Sequence, residues 1–170
     1  MNKVEMHKSM RLSEHFTLGE MCKTKHVTAD GNIPSHVVIE NLKRICGWLE
    51  ELRVVAGVRP QSKVAGDCTL APDPWAAPEA IVINSGYRSP EVNRLAGGVP
   101  SSNHVTGCAV DIRCAGKEQM IRYAAILLDI ADETKRDFDE LLLEQHGSVC
   151  WLHFAVRPKD NRRKIAFLKV

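Results

Sequence analysis

Gly147-Ser148 constrains this chain more than any other pair of residues, because it separates two runs that alternate as strands do. Glu140–Gln145 and Val149–Val156 flank it, and a Gly-Ser dipeptide between such runs is a two-residue hairpin signal. A turn that short fixes the register. Glu144 then stands opposite Trp151, and Leu142 opposite His153. By the two-residue period of a strand, Trp151, His153 and Ala155 share one face, while Leu152, Phe154 and Val156 take the core. Glu144 lies on the His153 face and diagonal to it, within reach of a long side chain. A slip of one residue would turn Glu144 away, so the turn carries the inference. His146 shares that face but reads as a turn residue.

A second strand is written into Gly107 to Cys114, which opens Gly107-Cys108-Ala109-Val110-Asp111-Ile112. Cys108, Val110 and Ile112 form an apolar triplet for a core. Gly107, Ala109 and Asp111 face the other way, two minimal side chains and then a carboxylate. His104 lies in the loop that leads in. Small residues beside an Asp and a His leave room for a metal and its water. His104 and Asp111 by themselves fit a buried polar pair equally well. With His153 they make two imidazoles and a carboxylate, a common three-ligand set for catalytic zinc with the fourth position left to water. A carboxylate that is not a ligand can take that water's proton and hand it to a leaving amine, and Glu144 is the candidate. Asn84-Ser-Gly-Tyr-Arg-Ser-Pro90 reads as a strand end turning into a helix start. There Arg88 offers a planar fork suited to a carboxylate or a developing oxyanion, or simply to a surface acid.

The remaining punctuation gives an α+β order with helices on one face of a mostly antiparallel sheet. Thr17-Leu-Gly-Glu20 is a capping box. Val38, Leu42, Ile45, Cys46, Leu49, Leu52 and Val55 recur at helical spacing through 35–56. Segment 57–79, rich in Pro, Gly and Ala, reads as a long loop carrying Trp75. Ala80–Asn84 reads as a short strand. Ser89-Pro90-Glu91 starts a helix that Gly97-Gly98 stops, and 116–132 is a second amphipathic helix. The end, 157–170, holds six cations and one acid. It reads as a basic tail, solvated or set against an anionic polymer such as a bacterial wall.

Length and charge narrow the possibilities. A chain of 170 residues fits one domain over 1–170. Lys plus Arg is 23 against 21 acids, and a net charge of +2 argues against a dedicated nucleic-acid binder. No apolar run approaches the ~20 residues of a membrane span. No secretory leader is visible, so the expectation is a protein kept in the cytoplasm until release. Its six cysteines, none in a C-x-x-C pair, are then free thiols. A monomer is assumed.

From Leu12-Ser-Glu-His-Phe-Thr-Leu, through SGYRSPEVNRLAGGVPSSNHVTGCAVDI, to FDELLLEQ and WLHFAVRP, the chain resembles the zinc D-Ala-D-Ala carboxypeptidases and related peptidoglycan endopeptidases. That family shares the hedgehog fold, and the nearest branch is its short phage- or prophage-type one. The resemblance implies one zinc ion held by His104, Asp111 and His153, with Arg88 near the substrate or intermediate. Tyr87, Ser102 and Trp151 are the further residues expected to bind substrate. Many members carry the acidic base three residues before the last zinc His, where this chain has Cys150. In the branch it resembles, a Glu at the end of the preceding strand, as Glu144 is, stands instead. The implied activity is hydrolysis of a peptide bond in wall stem peptides next to D-Ala, as carboxypeptidase or endopeptidase. Two other readings stay open: a non-catalytic, zinc-containing wall-binding or phage structural module, and a cysteine hydrolase using Cys108 or Cys150.

Overall fold

The computed structural model describes residues 8–57 and 78–170. The loop expected over 57–79, with Trp75 and Cys68, lies outside the described residues except at its ends. Among those residues the order is α1 (Leu18–Met21), α2 (His36–Gly57), β1 (Ile83–Ser85), α3 (Pro90–Leu95), β2 (Ala109–Cys114), α4 (Lys117–Thr134), β3 (Glu140–His146), β4 (Val149–Ala155) and β5 (Lys164–Lys169). The strands form one sheet in the order β1-β2-β4-β3-β5. Every neighbouring pair is antiparallel except β3 with β5.

The hairpin has the register its turn dictates, with Glu144 opposite Trp151 and Leu142 opposite His153. Gly147 takes φ +57, the left-handed conformation that Gly adopts without penalty. β2 begins at Ala109 rather than at Gly107. Gly107 instead turns at φ +71, where a Cβ would stand 2.7 Å from the Val38 side chain. α4 continues two residues past the expected stop and ends at Lys135 in the left-handed region.

One face of the sheet is covered by helices. Val110, Ile112, Leu141, Leu143, Leu152 and Phe154 pack there against Leu42, Ile45 and Leu49 of α2 and Tyr123 and Leu127 of α4. The period-three and period-four spacing of α2 turns its buried stripe toward this face. Phe154 sits at the centre, fully buried, with Trp48 edge-on at 5.4 Å and Phe138 at 5.9 Å between ring centroids. Phe154→Ala is therefore expected to cost about 3–5 kcal/mol, measured by denaturant unfolding.

The end of the chain departs from expectation. What reads as a basic tail contains β5, which runs parallel to β3 and pairs with it from Glu140↔Lys164 to Gln145↔Lys169. The six cations hid the apolar run Ile165, Ala166, Phe167 and Leu168. Acids on β3 and just before it meet those cations. Arg162 donates from Nε at 2.8 Å and Nη2 at 2.7 Å to the fully buried Asp139, and Lys164 lies 3.3 Å from Glu140. Burial works against the Asp139 anion, but hydrogen bonds from Arg162 and Asn103 outweigh it and hold the carboxyl below its usual range. A group with a depressed folded pKa stabilises above its unfolded value and loses that contribution as pH falls through the folded one. The melting temperature is accordingly expected to drop below about pH 4. Asp139→Asn should be less stable at neutral pH and flatter across that acid window, read by thermal melts at each pH.

No helix among the described residues is long and apolar enough to cross a membrane.

Candidate metal centre

The uncovered face of the sheet carries the polar side chains. Asp111 on β2 and His153 on β4 are directly opposite one another. His104 arrives from the loop before β2. Its Nδ1 lies 2.6 Å from the Gly86 carbonyl, which can only accept, so Nδ1 carries the hydrogen and Nε2 presents its lone pair. That Nε2 is 3.2 Å from Asp111 Oδ1, and His153 Nδ1 is 2.9 Å from the same oxygen. The imidazole centroids are 5.0 Å apart at 66°. One donor atom from each of the three side chains lies within 4.8 Å of the others, and all three residues are buried.

Two imidazoles turned on one buried carboxylate oxygen need a positive charge between them. Burial alone would raise the Asp111 carboxyl, yet both histidines hold it far below the usual carboxylate range. Burial opposes the His153 cation, but bonds to Asp111 and Glu140 push its pKa up to about 9. A divalent cation satisfies the same demand with no proton on either inward nitrogen. Two nitrogens, one carboxylate oxygen and an open side toward a cleft fit zinc. The outer partners fit as well, with the Gly86 carbonyl behind His104 and Glu140 Oε2 3.6 Å from His153 Nε2.

The centre forms the floor of a cleft of about 650 Å³, whose walls include Ser102, Glu140, Leu142, Glu144 and Trp151. Glu144 is half-buried. Burial raises its pKa; His153 pulls it back, Asp111 adds to the rise, and the neighbouring Trp151 lowers it. Among the described residues no Lys or Arg forms an ion pair with it. Ser102 lines the wall, and its Oγ accepts from the His104 amide at 3.3 Å, bracing the loop.

Two expectations change. Arg88 lines the cleft, but its fork is engaged with the protein: Nη2 donates to Asp111 Oδ2 at 2.6 Å and Nε to Ser85 Oγ at 2.7 Å. It holds Asp111 by one oxygen while the histidines meet the other. Tyr87, expected at the substrate, instead belongs to the apolar core. The chain turns at Gly86, sending Arg88 to the cleft and Tyr87 under α1, where the Tyr87 amide donates to the Met21 carbonyl at 2.7 Å. The cysteine reading fails on burial. Cys150 is buried in the helix-covered core, and Cys108 is buried just before β2, beside Asn41, Thr106 and Arg157, where burial pushes its thiol up. Cys150 therefore occupies a core position, not that of an acid.

Sequence reasoning missed Glu140. Hydrogen bonding to His153 is the chief reason its pKa is held down to about 2, and Lys164 and Arg162 add to that against burial. Asn103 ties it and Asp139 to the His104 loop at 3.0 and 2.8 Å. The signal was present, since Glu140 has the parity of Glu144 and pairs with Ala155, two residues from His153. Gly86 matters for another reason. A Cβ there would lie 2.3 Å from the Met21 carbonyl, so Gly86→Ala must move the segment that orients His104. The expected result is zinc affinity lower by about 10–100-fold, measured by competition with a chelating dye.

No curated protein matches the chain. The family model described as Peptidase M15 matches residues 14–130. That span includes Arg88, His104 and Asp111 and stops before the β3–β4 hairpin, which brings Glu140, Glu144 and His153 to the same cleft. With more than half its length matched, the chain belongs to the peptidase M15 family, a family of zinc-dependent peptidases.

Proposed function

We propose that this peptidase hydrolyses a peptide bond in the stem peptides of bacterial peptidoglycan, next to D-Ala, with His104, Asp111 and His153 as its zinc ligands and Glu144 as its proton carrier. The observation that carries the reading is the convergence of those three donors on the floor of a cleft with a half-buried carboxylate on its wall. Zinc held there supplies a water with its pKa lowered to about 7 and a Lewis acid for the scissile carbonyl.

The residues of the chain do the rest. Gly86 fixes the tautomer of His104, and Arg88 holds Asp111 by the oxygen that faces away from the histidines. Glu144 accepts a proton from the attacking water at its carboxylate and returns it to the leaving amine. A carboxylate with no Lys or Arg partner among the described residues, raised by burial, is suited to both transfers. Trp151, opposite Glu144 on β4, lines the same cleft beside it.

The test is metal analysis of protein purified without added metal, followed by mass spectrometry of a digest of purified walls. About one zinc per chain and new amines at a single bond type are expected. Zinc at that level with no new amine from walls of any chemotype would overturn the peptidoglycan assignment and favour a wall-binding module.

A further inference from the structure

Beside the metal cleft lies a second groove, of about 450 Å³, that shares Arg88 and Ala96 with it. It runs along β1, past Val82, Asn84 and Ser85, to the segment after α1. Lys23, Lys25, His26, Arg88 and Arg113 line it, and among the described residues no Asp or Glu does. Lys23, Lys25 and Arg113 are exposed and have no ion pair or side-chain hydrogen bond to any described residue. Most other arginines of the molecule are engaged: Arg122 with Glu79, Arg136 with Glu51, Arg162 with Asp139 and Arg163 with Asp132. Cations grouped in a concavity with no counter-charge raise the local concentration of anions.

We infer that this groove is a binding site for an acidic peptide segment on one side of the scissile bond, with Lys25 and Arg113 meeting its free carboxylates. The inference rests on the peptidase reading and names the charge of its substrate. A peptide is favoured over another polyanion by the backbone geometry. Among the described residues β1 is the terminal strand of the sheet, so an extended chain laid along its outer edge finds main-chain groups to pair with. Arg113 stands two residues beyond Asp111 on the same face of β2, and Arg88 stands at the junction of groove and cleft. A substrate entering along β1 therefore meets cations before it reaches the metal centre.

The experiment measures binding apart from turnover. In a zinc-loaded Glu144→Gln background, fluorescence anisotropy would follow a fluorescein-labelled stem peptide with free carboxylates, the same peptide amidated, and inorganic polyphosphate. The free acid is expected to bind about tenfold more tightly than the amide, equivalent to about 1.4 kcal/mol. Combining Lys25→Gln with Arg113→Gln should remove that preference and flatten its salt dependence, with zinc content and melting temperature unchanged. Equal affinity for the two peptides, or a preference that survives the double substitution, would overturn the inference. So would polyphosphate binding more tightly than the free acid through the same two side chains. Failure of the peptidase reading looks different, because discrimination by charge would persist while the wild type released no amine from walls.

Discussion

Asp111→Ala is expected to abolish both the stoichiometric metal and the hydrolysis. Asp111 is the hub of the site: one oxygen faces both histidines and the other takes Arg88. Losing an outer partner of a metal ligand costs about 10–100-fold in affinity, and losing a ligand costs more. Metal analysis after gel filtration should fall below one-tenth of the wild-type content, with cleavage at background. Breaking a buried pair also leaves Arg88 without its carboxylate, so a loss of stability of about 3 kcal/mol is expected alongside. Asp111→Asn separates the two effects. It keeps an acceptor for Arg88 and so retains more of the fold, yet lacks the charge that holds a cation between two imidazoles. An Asn variant with full zinc and full activity would remove Asp111 from the ligand set.

Glu144→Gln is expected to lower kcat by about 10²–10⁴ while zinc stays bound. The substitution keeps the size of the side chain and an amide oxygen, and removes only the capacity to carry a proton. The measurement is a rate on purified stem peptide with metal content determined on the same sample. Glu140→Gln is the comparison. Glu140 already has His153, Asn103, Arg162 and Lys164 as partners, so its loss should be felt first in metal affinity and stability. If Glu140→Gln abolished turnover with zinc intact and Glu144→Gln did not, the two carboxylates would exchange roles.

These two glutamates also mark how far local patterning reaches. Glu144 was legible because a two-residue turn sets register and register sets the face. Glu140 obeys the same parity, but its partners come from Asn103 and from the segment leading into β5, remote in the chain. β5 was hidden because charge dominates 157–170, and a four-residue apolar run beside an open strand edge is meaningful only once that edge is known. Tyr87 and Arg88 are neighbours in an irregular turn with no period. Only the close approach of Gly86 to the Met21 carbonyl settles which of them faces the cleft.

Periodic and turn-directed features of the chain thus sufficed for the hairpin register and both long helices, since each follows from bonds or alternation within a few residues. The three metal donors were named by their chemistry and the resemblance and brought together by β2–β4 pairing. Long-range packing alone chose the engagement of Arg88 with Asp111, the burial of Tyr87, the fifth strand and the unpaired cations along β1. Those depend on which distant groups meet across the sheet, and burial and charge pairing between remote segments are properties of the folded chain.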